Sequence, residues 1–352
     1  MKRVGYIFEE ICDLKNIKWA IIESSRKKRK RKSVKKILLN TDKYAREIQA
    51  LLRKKAYTPA PYTEKTIMDG ICKKIRTIHK PRYYPDQIIH WALILQIRPI
   101  LMRGMYEYSC GSIPGRGTAL GQKTLRRWLD KDYKGTRYCL QIDIKKFYPS
   151  IQNEFLKGKF RKIIKDKDCL WLIDTIIDSH QGLPIGNYTS PWFANFYLQG
   201  LDHFIKEKLG VKYYIRYTDD MILLGPNKKK LHKSRDEIEE CLKKEGLLLK
   251  GNWQVYKVND RPIDFLGLRF YRDKTILRKR TALRIRRRMA KIRKKGYLCY
   301  KDACAVISYW GWIKRSNSYD FYHKYVKPVA TIKQARKVVS EHDKAHNLRT
   351  CA

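Results

Sequence analysis

The sequence has 352 residues, with 79 Lys+Arg against 34 Asp+Glu and a net charge of +45. At roughly 150 residues per domain, the length predicts about two domains or lobes. A hydrophobic content of 43% and an aromatic content of 12% exclude a disordered basic tail protein. No apolar run reaches the ~20 residues that span a bilayer, and Met1 to Cys12 does not read as a signal peptide. Nine cysteines are scattered singly, without the paired spacing of a disulfide framework or a Cys₄ zinc site, so the chain reads as reduced and cytoplasmic. A folded chain this basic calls for an anionic partner. A nucleic acid supplies one, with release of condensed counterions, and no basic helix shows the apolar face a membrane surface would need.

In chain order, Arg26 to Lys36 comes first, with nine Lys or Arg in eleven positions. It has little periodicity and reads as a solvated arm or a phosphate-binding one. Tyr44, Ile48, Leu51 and Leu52 mark a helix entered through Asn40-Thr41-Asp42, and Gln87 to Leu101 a largely buried helix. The glycines and proline from Gly111 to Gly121 predict a loop. Tyr138 to Ile144 alternates as a half-buried strand, with Asp143 near its end on the face opposite the apolar residues. Tyr213 to Leu224 reads as a hairpin with Asp219 and Asp220 at its turn. Arg278 to Lys295 holds eleven Lys or Arg in eighteen positions. There Ala282, Ile285, Met289 and Ile292 recur at helical spacing, Thr281 can cap the start and Gly296 can stop the end. This helix puts one face on the core and presents Arg284, Arg287, Arg288 and Lys291 outward to nucleic acid. His90 reads as a satisfied buried histidine, and Trp253, Trp310 and Trp312 as core.

Paired aspartates between two apolar strands cost energy unless a cation sits there. One strand presents Asp143 and the hairpin presents Asp219 and Asp220. Three carboxylates at one rim suit hard divalent ions such as Mg²⁺, and two such ions can activate a 3′-hydroxyl and stabilise departing pyrophosphate.

Tyr217-Thr218-Asp219-Asp220 resembles the Tyr-x-Asp-Asp box of reverse transcriptases, and Asp143-Ile144-Lys145-Lys146-Phe147-Tyr148 their first catalytic motif. Arg76 to Pro81 with Asp86-Gln87, and Tyr108 to Gly117, resemble the two fingers motifs of bacterial, group II intron-like enzymes. Gly182-Leu183-Pro184-Ile185-Gly186-Asn187-Tyr188-Thr189-Ser190-Pro191 has Ile185 where most reverse transcriptases have Gln, which is the pattern of diversity-generating retroelement enzymes. Pro191, where those enzymes have Gln, resembles the general family instead. Ile263 to Gly267 resembles the primer grip, and Ser308 to Tyr319 the end of the thumb. The boxes Asn-Ala-x-x-His and Val-Thr-Gly are absent, which disfavours a retron enzyme.

The resemblance implies an α+β right-hand polymerase fold with fingers, a palm of antiparallel sheet with helices, and a short helical thumb. Its expected divisions are a basic N-terminal extension with a helix at 1–60, fingers at 61–137, palm at 138–270 with part of the fingers interleaved, and thumb and tail at 271–352, leaving no room for maturase plus endonuclease domains. It implies two Mg²⁺ ions, with Mn²⁺ as the alternative, on Asp143, the Ile144 backbone, Asp219 and Asp220. The implied nucleotide site holds Arg76, Arg116, Tyr148 as a steric gate under the sugar, Ile185, Gly186 and Lys250, with Phe265, Leu266 and Gly267 as the primer grip. Which arginine holds the triphosphate stays open. The implied activity is an RNA-directed DNA polymerase that makes adenine-mutagenised cDNA from a template RNA and dNTPs, with a basic accessory variability determinant as partner, in a bacterial or phage-encoded system. The rivals are a group II intron-like reverse transcriptase of ordinary fidelity and a non-catalytic RNA-binding maturase.

Overall fold

The apolar spacings of the sequence become helices packed about antiparallel sheets in the computed structural model of the chain, which describes residues 3–68 and 75–348. Two compact units share the chain. One comprises Met1–Gly117, Leu140–Leu223 and His232–Gln254, and the other Thr118–Cys139, Leu224–Leu231 and Val255–Ala352.

In the first unit, helices Ile7–Cys12 and Leu14–Ser25 pack on the apolar helix Ile88–Met102. Asp13 breaks the first two apart and caps the second, its carboxylate accepting from the backbone N–H groups of Lys15 and Asn16. Asn16 is buried among apolar residues, and its amide donates to the carbonyls of Ile11 and Ala92, so all three helices are tied at one point. Helix Thr41–Arg53 begins where the sequence places it, with Ala45, Ile48 and Leu52 buried. The basic run differs from the irregular arm expected. It turns and then forms helix Lys32–Leu39, because Val34 and Ile37, three residues apart, both reach the core. The predicted loop is also shorter than expected. It ends at Gly117, and Gly121 is buried within helix Thr118–Lys131, which begins the second unit and places Leu125, Trp128 and Leu129 in the core.

Strands β1 (Thr63–Met68) and β2 (Ile75–Lys80) form an exposed antiparallel hairpin. Strands β3 (Tyr138–Asp143), β4 (Tyr213–Tyr217), β5 (Asp220–Gly225) and β6 (Gln254–Lys257) make a sheet in the order β4-β5-β3-β6. In the second unit, β7 (Ile263–Phe265), β8 (Leu268–Phe270) and β9 (Thr275–Leu277) form an antiparallel meander.

The basic helix spans Lys279–Lys295 and stops at Gly296 in the left-handed conformation, φ 75°. Thr281 does not cap it. The cap position is Arg278, and Thr281 is buried in the first turn beside Ile285, Met289 and Ile292, while Ala282 is only half-buried. The four basic residues expected to face outward divide. The Arg284 guanidinium lies over the rings of Trp312 and Tyr309, at 5.3 and 5.7 Å, and Arg288 pairs with buried Asp302 at 2.6 Å. Arg287 and Lys291 are exposed.

Two apolar residues of the N-terminal helices carry very different expected costs. Ile21 is wholly buried and Leu39 is 74% exposed. Ile21→Ala should lower unfolding free energy by about 2–5 kcal/mol and Leu39→Ala by less than about 0.5 kcal/mol, measured by denaturant titration of the full chain.

Candidate active site

Asp143 ends β3, Asp219 sits in the turn between β4 and β5, and Asp220 opens β5. Backbone hydrogen bonds bring the first two together. The Ile144 N–H donates to the Asp219 carbonyl at 3.4 Å. On the other side, Lys145 N–H donates to the Leu248 carbonyl and Lys250 N–H to the Asp143 carbonyl, both at 2.8 Å, with Ile144 paired antiparallel to Leu249. This places the Lys250 ammonium directly on Asp143 Oδ2.

Burial pushes the Asp143 carboxyl above its ordinary value, the apposed Asp219 adds to the rise, and the Lys250 ammonium pulls against both. Asp143 Oδ1 is buried without a hydrogen-bond partner. A buried, unpaired carboxylate oxygen facing a second carboxylate fits a hard divalent cation. Among the described residues no three His, Cys, Asp or Glu side chains converge as a metal cage, so the expected three-carboxylate rim is here an Asp143–Asp219 pair with Asp220 half-buried beside it. Mg²⁺ needs no cage, since it is held by one or two carboxylates together with substrate phosphates and water.

Tyr148 lies five residues beyond Asp143, just after buried Phe147, whose ring meets its own edge-on at 5.6 Å. Burial, and then the Asp219 charge, push its phenol up to about 12, so it stays neutral. The Tyr148 carbonyl accepts from Leu183 N–H at 2.9 Å, which seats the start of the Gly182–Pro191 segment against the site. Further along, Ser190 Oγ donates to the Pro184 carbonyl at 2.7 Å, and Tyr188 stacks on Trp91 at 3.7 Å. Ile185 is half-buried, and its carbonyl accepts from His79 N–H of β2 at 2.9 Å. Gly186 has φ 141°, and a Cβ there would collide with the His79 carbonyl. Pro191 occupies the first turn of helix Ser190–Tyr197, where a proline costs no backbone bond.

The two candidate arginines are placed differently. Arg116 turns inward, its guanidinium donating to the carbonyls of Tyr106 and Ser109, and Arg76 is exposed on β2. In the second unit, Leu266 and Gly267 form the two-residue turn between β7 and β8, both at positive φ (49° and 87°). The Leu266 carbonyl accepts from Gln122 at 2.8 Å, and buried Phe265 anchors the turn. His90 is fully buried and its imidazole is held down to about 3 by burial; contrary to a satisfied histidine, its Nδ1 has no partner. Trp253, Trp310 and Trp312 are half-buried rather than core, and Arg235 lies over Trp253 at 4.3 Å.

Sequence reasoning missed the residues behind the turn. Arg216, next to last in β4, and Asp202 are both wholly buried and paired. Arg216 Nε and Nη2 donate to the two Asp202 oxygens at 2.8 and 2.6 Å. Its Nη1 donates to the Thr218 carbonyl at 3.0 Å and to Asn195 Oδ1 at 3.1 Å. The available signal was a charged residue inside the apolar run Tyr213-Tyr214-Ile215-Arg216-Tyr217, which must find a buried partner.

The sequence profile of the family described as reverse transcriptase (RNA-dependent DNA polymerase) matches residues 59–270, and the chain belongs to that family. This membership carries the right-hand polymerase fold. The chain is 34% identical over 136 residues to the retron Ec73 reverse transcriptase of Escherichia coli, covering 35% of this chain and 43% of that protein. It is 28% identical over 214 residues to the group II intron-encoded protein LtrA of Lactococcus lactis subsp. cremoris, covering 58% of this chain and 34% of that protein. Matches thus span about half the length, or less, of these curated relatives. Among solved structures, the telomerase from Candida albicans aligns at a TM-score of 0.48 and 13% identity, covering 63% of this chain and 46% of that one. No helix among the described residues is long and apolar enough to cross a membrane.

The opposing influences on Asp143 have testable signs. In metal-free solution, Asp219→Asn should lower the Asp143 titration midpoint by removing a like charge, and Lys250→Met should raise it by removing an ammonium. Because the folded value is raised, the group's contribution to stability is full below the unfolded value and is lost as pH rises through the folded one. Carboxyl-carbon NMR titration of Asp143 checks both shifts.

Proposed function

We propose that the chain is an RNA-directed DNA polymerase of the diversity-generating retroelement type, copying a template RNA into cDNA with errors concentrated at adenine. The observation that carries the polymerase reading is the Asp143–Asp219 apposition, with an unpaired buried carboxylate oxygen, in a reverse transcriptase family chain. Asp143, Asp219, Asp220 and the Ile144 backbone would hold two Mg²⁺ ions, or Mn²⁺. When bound, these supply charge stabilisation for the attacking 3′-oxygen and the leaving pyrophosphate.

The chain's own residues orient the reactants. Tyr148, neutral and seated by Phe147, lies under the sugar and excludes a 2′-hydroxyl. Exposed Arg76 takes the dNTP triphosphate, while Arg116 is committed to main-chain carbonyls and shapes the loop. Lys250 stands beside the reacting phosphates, and the Phe265-Leu266-Gly267 turn holds the primer. Arg287 and Lys291 meet the phosphates of template or product, with Arg284 and Arg288 setting the pitch of their helix. The divisions into fingers, palm and thumb, the accessory variability determinant as a partner held through shared RNA, and a bacterial or phage cytoplasmic setting belong to the same reading.

Ile185 carries the subtype. A Gln amide at that position can hydrogen-bond the nascent pair, whereas Ile offers only a branched apolar surface. A second reading, a group II intron-like enzyme of ordinary fidelity, is favoured by Pro191 and by the similarity to LtrA. The likeness to two retron enzymes stands against the absence of both retron boxes.

Asp219→Asn should abolish Mg²⁺-dependent dNTP incorporation on a primed RNA while RNA binding persists; a fully active variant would overturn the polymerase assignment. A net hydrogen bond is worth ~0.5–1.5 kcal/mol, enough to change discrimination several-fold to about tenfold. Ile185→Gln should therefore lower misincorporation opposite adenine more than opposite other bases, read by sequencing cDNA from an RNA of balanced composition. A faithful wild type would favour the second reading.

A further inference from the structure

We propose that Arg216, locked by Asp202, is the positioning residue of the catalytic turn, holding Thr218 in the left-handed conformation that aims Asp219 at Asp143. The inference rests on reading Asp143 and Asp219 as metal ligands, and it adds a residue that this reading does not contain.

A buried guanidinium must be neutralised and its donors satisfied. Asp202 alone meets the charge, taking Nε and Nη2 in a bidentate bond. If the pair served only the core, the remaining Nη1 could end on any nearby acceptor. Instead it donates to the carbonyl of Thr218, the residue immediately before Asp219. Thr218 has φ 56°, a conformation that a β-branched side chain rarely adopts and that persists only where its surroundings over-determine it.

Those surroundings converge here. Thr218 Oγ1 has one proton and two acceptors in reach, the Tyr217 carbonyl at 2.6 Å and Asp219 Oδ1 at 2.8 Å, so the orientation of Thr218 passes to Asp219 chiefly along the backbone. Gly111 lies against the Thr218 backbone, and a Cβ there would stand 2.7 Å from its nitrogen. Asn195 centres the arrangement. Its Oδ1 accepts from Arg216 and, at 3.3 Å, from Ser109 Oγ, and its Nδ2 donates to the Gly111 carbonyl at 2.8 Å. The Arg216 backbone is itself fixed in the same register, donating to the Tyr108 carbonyl at 3.1 Å and accepting from Cys110 N–H at 2.8 Å. The planar fork is the feature used, because a lysine could neutralise Asp202 but could not also reach the Thr218 carbonyl in the same plane.

The test measures Mn²⁺ binding to the full chain by electron paramagnetic resonance, alongside thermal melting, RNA affinity and the Mg²⁺ concentration that half-saturates incorporation. Folded Arg216→Lys should bind Mn²⁺ roughly tenfold more weakly, or worse, with RNA affinity unchanged. Adding Thr218→Gly should restore much of the loss, because glycine adopts positive φ without the clamp. A merely structural role would change melting but would not be rescued at Thr218. Unchanged Mn²⁺ affinity in folded Arg216→Lys, or a loss that Thr218→Gly leaves in place, overturns the proposal. If Arg216→Lys does not fold, Asn195→Ala carries the same readout, with weakened Mn²⁺ binding expected and unchanged binding overturning it. Asp219→Asn is the control. If it leaves Mn²⁺ affinity untouched, the metal-site reading falls and this inference with it; if it weakens binding where folded Arg216→Lys does not, the clamp alone falls.

Discussion

Two carboxylates held against each other in a half-buried site are the constraint that the rest of the structure answers. Asp143 and Asp219 repel, and burial removes the water that would screen them. Side-chain packing cannot impose such an arrangement, because a carboxylate on a free rotamer turns away from its neighbour. It takes backbone placement on both sides. Asp143 is fixed by β3, by the Ile144–Asp219 hydrogen bond and by the strand-like pairing with Leu249. Asp219 is fixed by a turn whose conformation is unfavourable for its own residue and is held from behind by a buried ion pair. Lys250 then offsets part of the repulsion from the one direction that leaves Asp143 Oδ1 unpaired.

The same logic links segments far apart in sequence. The Tyr108–Gly111 stretch lies along β4, bonded to Arg216 on both its backbone donor and its acceptor. The Ile185–Gly186 stretch lies along β2, and the missing Cβ of Gly186 lets the two backbones approach. The Ile185–Gly186 stretch is therefore seated by main-chain contacts to a strand whose own side chains are largely exposed.

What was legible in the sequence follows from range. Alternation over seven residues placed β3 and Asp143, the paired strands placed the hairpin turn and Asp219 in it, with Asp220 one residue on in β5, and helical spacing placed the buried face of Lys279–Lys295. These are local patterns. The Arg216–Asp202 pair joins a strand to a helix that precedes it, and Lys250 reaches Asp143 across 107 residues, so a charge inside an apolar run marks Arg216 but no local pattern names either partner. The misread segments failed for related reasons. Charge density hid the two apolar residues that make Lys32–Leu39 a helix, and glycine content hid that Gly121 is packed inside one. Thr281 looked like a cap because the residue type is right, yet the core claimed its side chain first.

The same competition decides what the net charge means. A count of Lys and Arg measures the field around the chain but not the number of phosphates it can neutralise. On the basic helix, Arg284 is spent on the rings of Trp312 and Tyr309, while Arg288 and Lys295 both converge on Asp302. Each such guanidinium or ammonium still contributes to long-range attraction, since its partner ring carries no charge or its partner carboxylate is shared. Held by an internal partner, however, it is less available to displace a counterion than an exposed group. On the proposed reading, steering and grip fall to different members of one charge run. The inward arginines are placed to orient the helix and add to its field, and exposed residues such as Arg287 and Lys291 are those the proposed nucleic acid would meet.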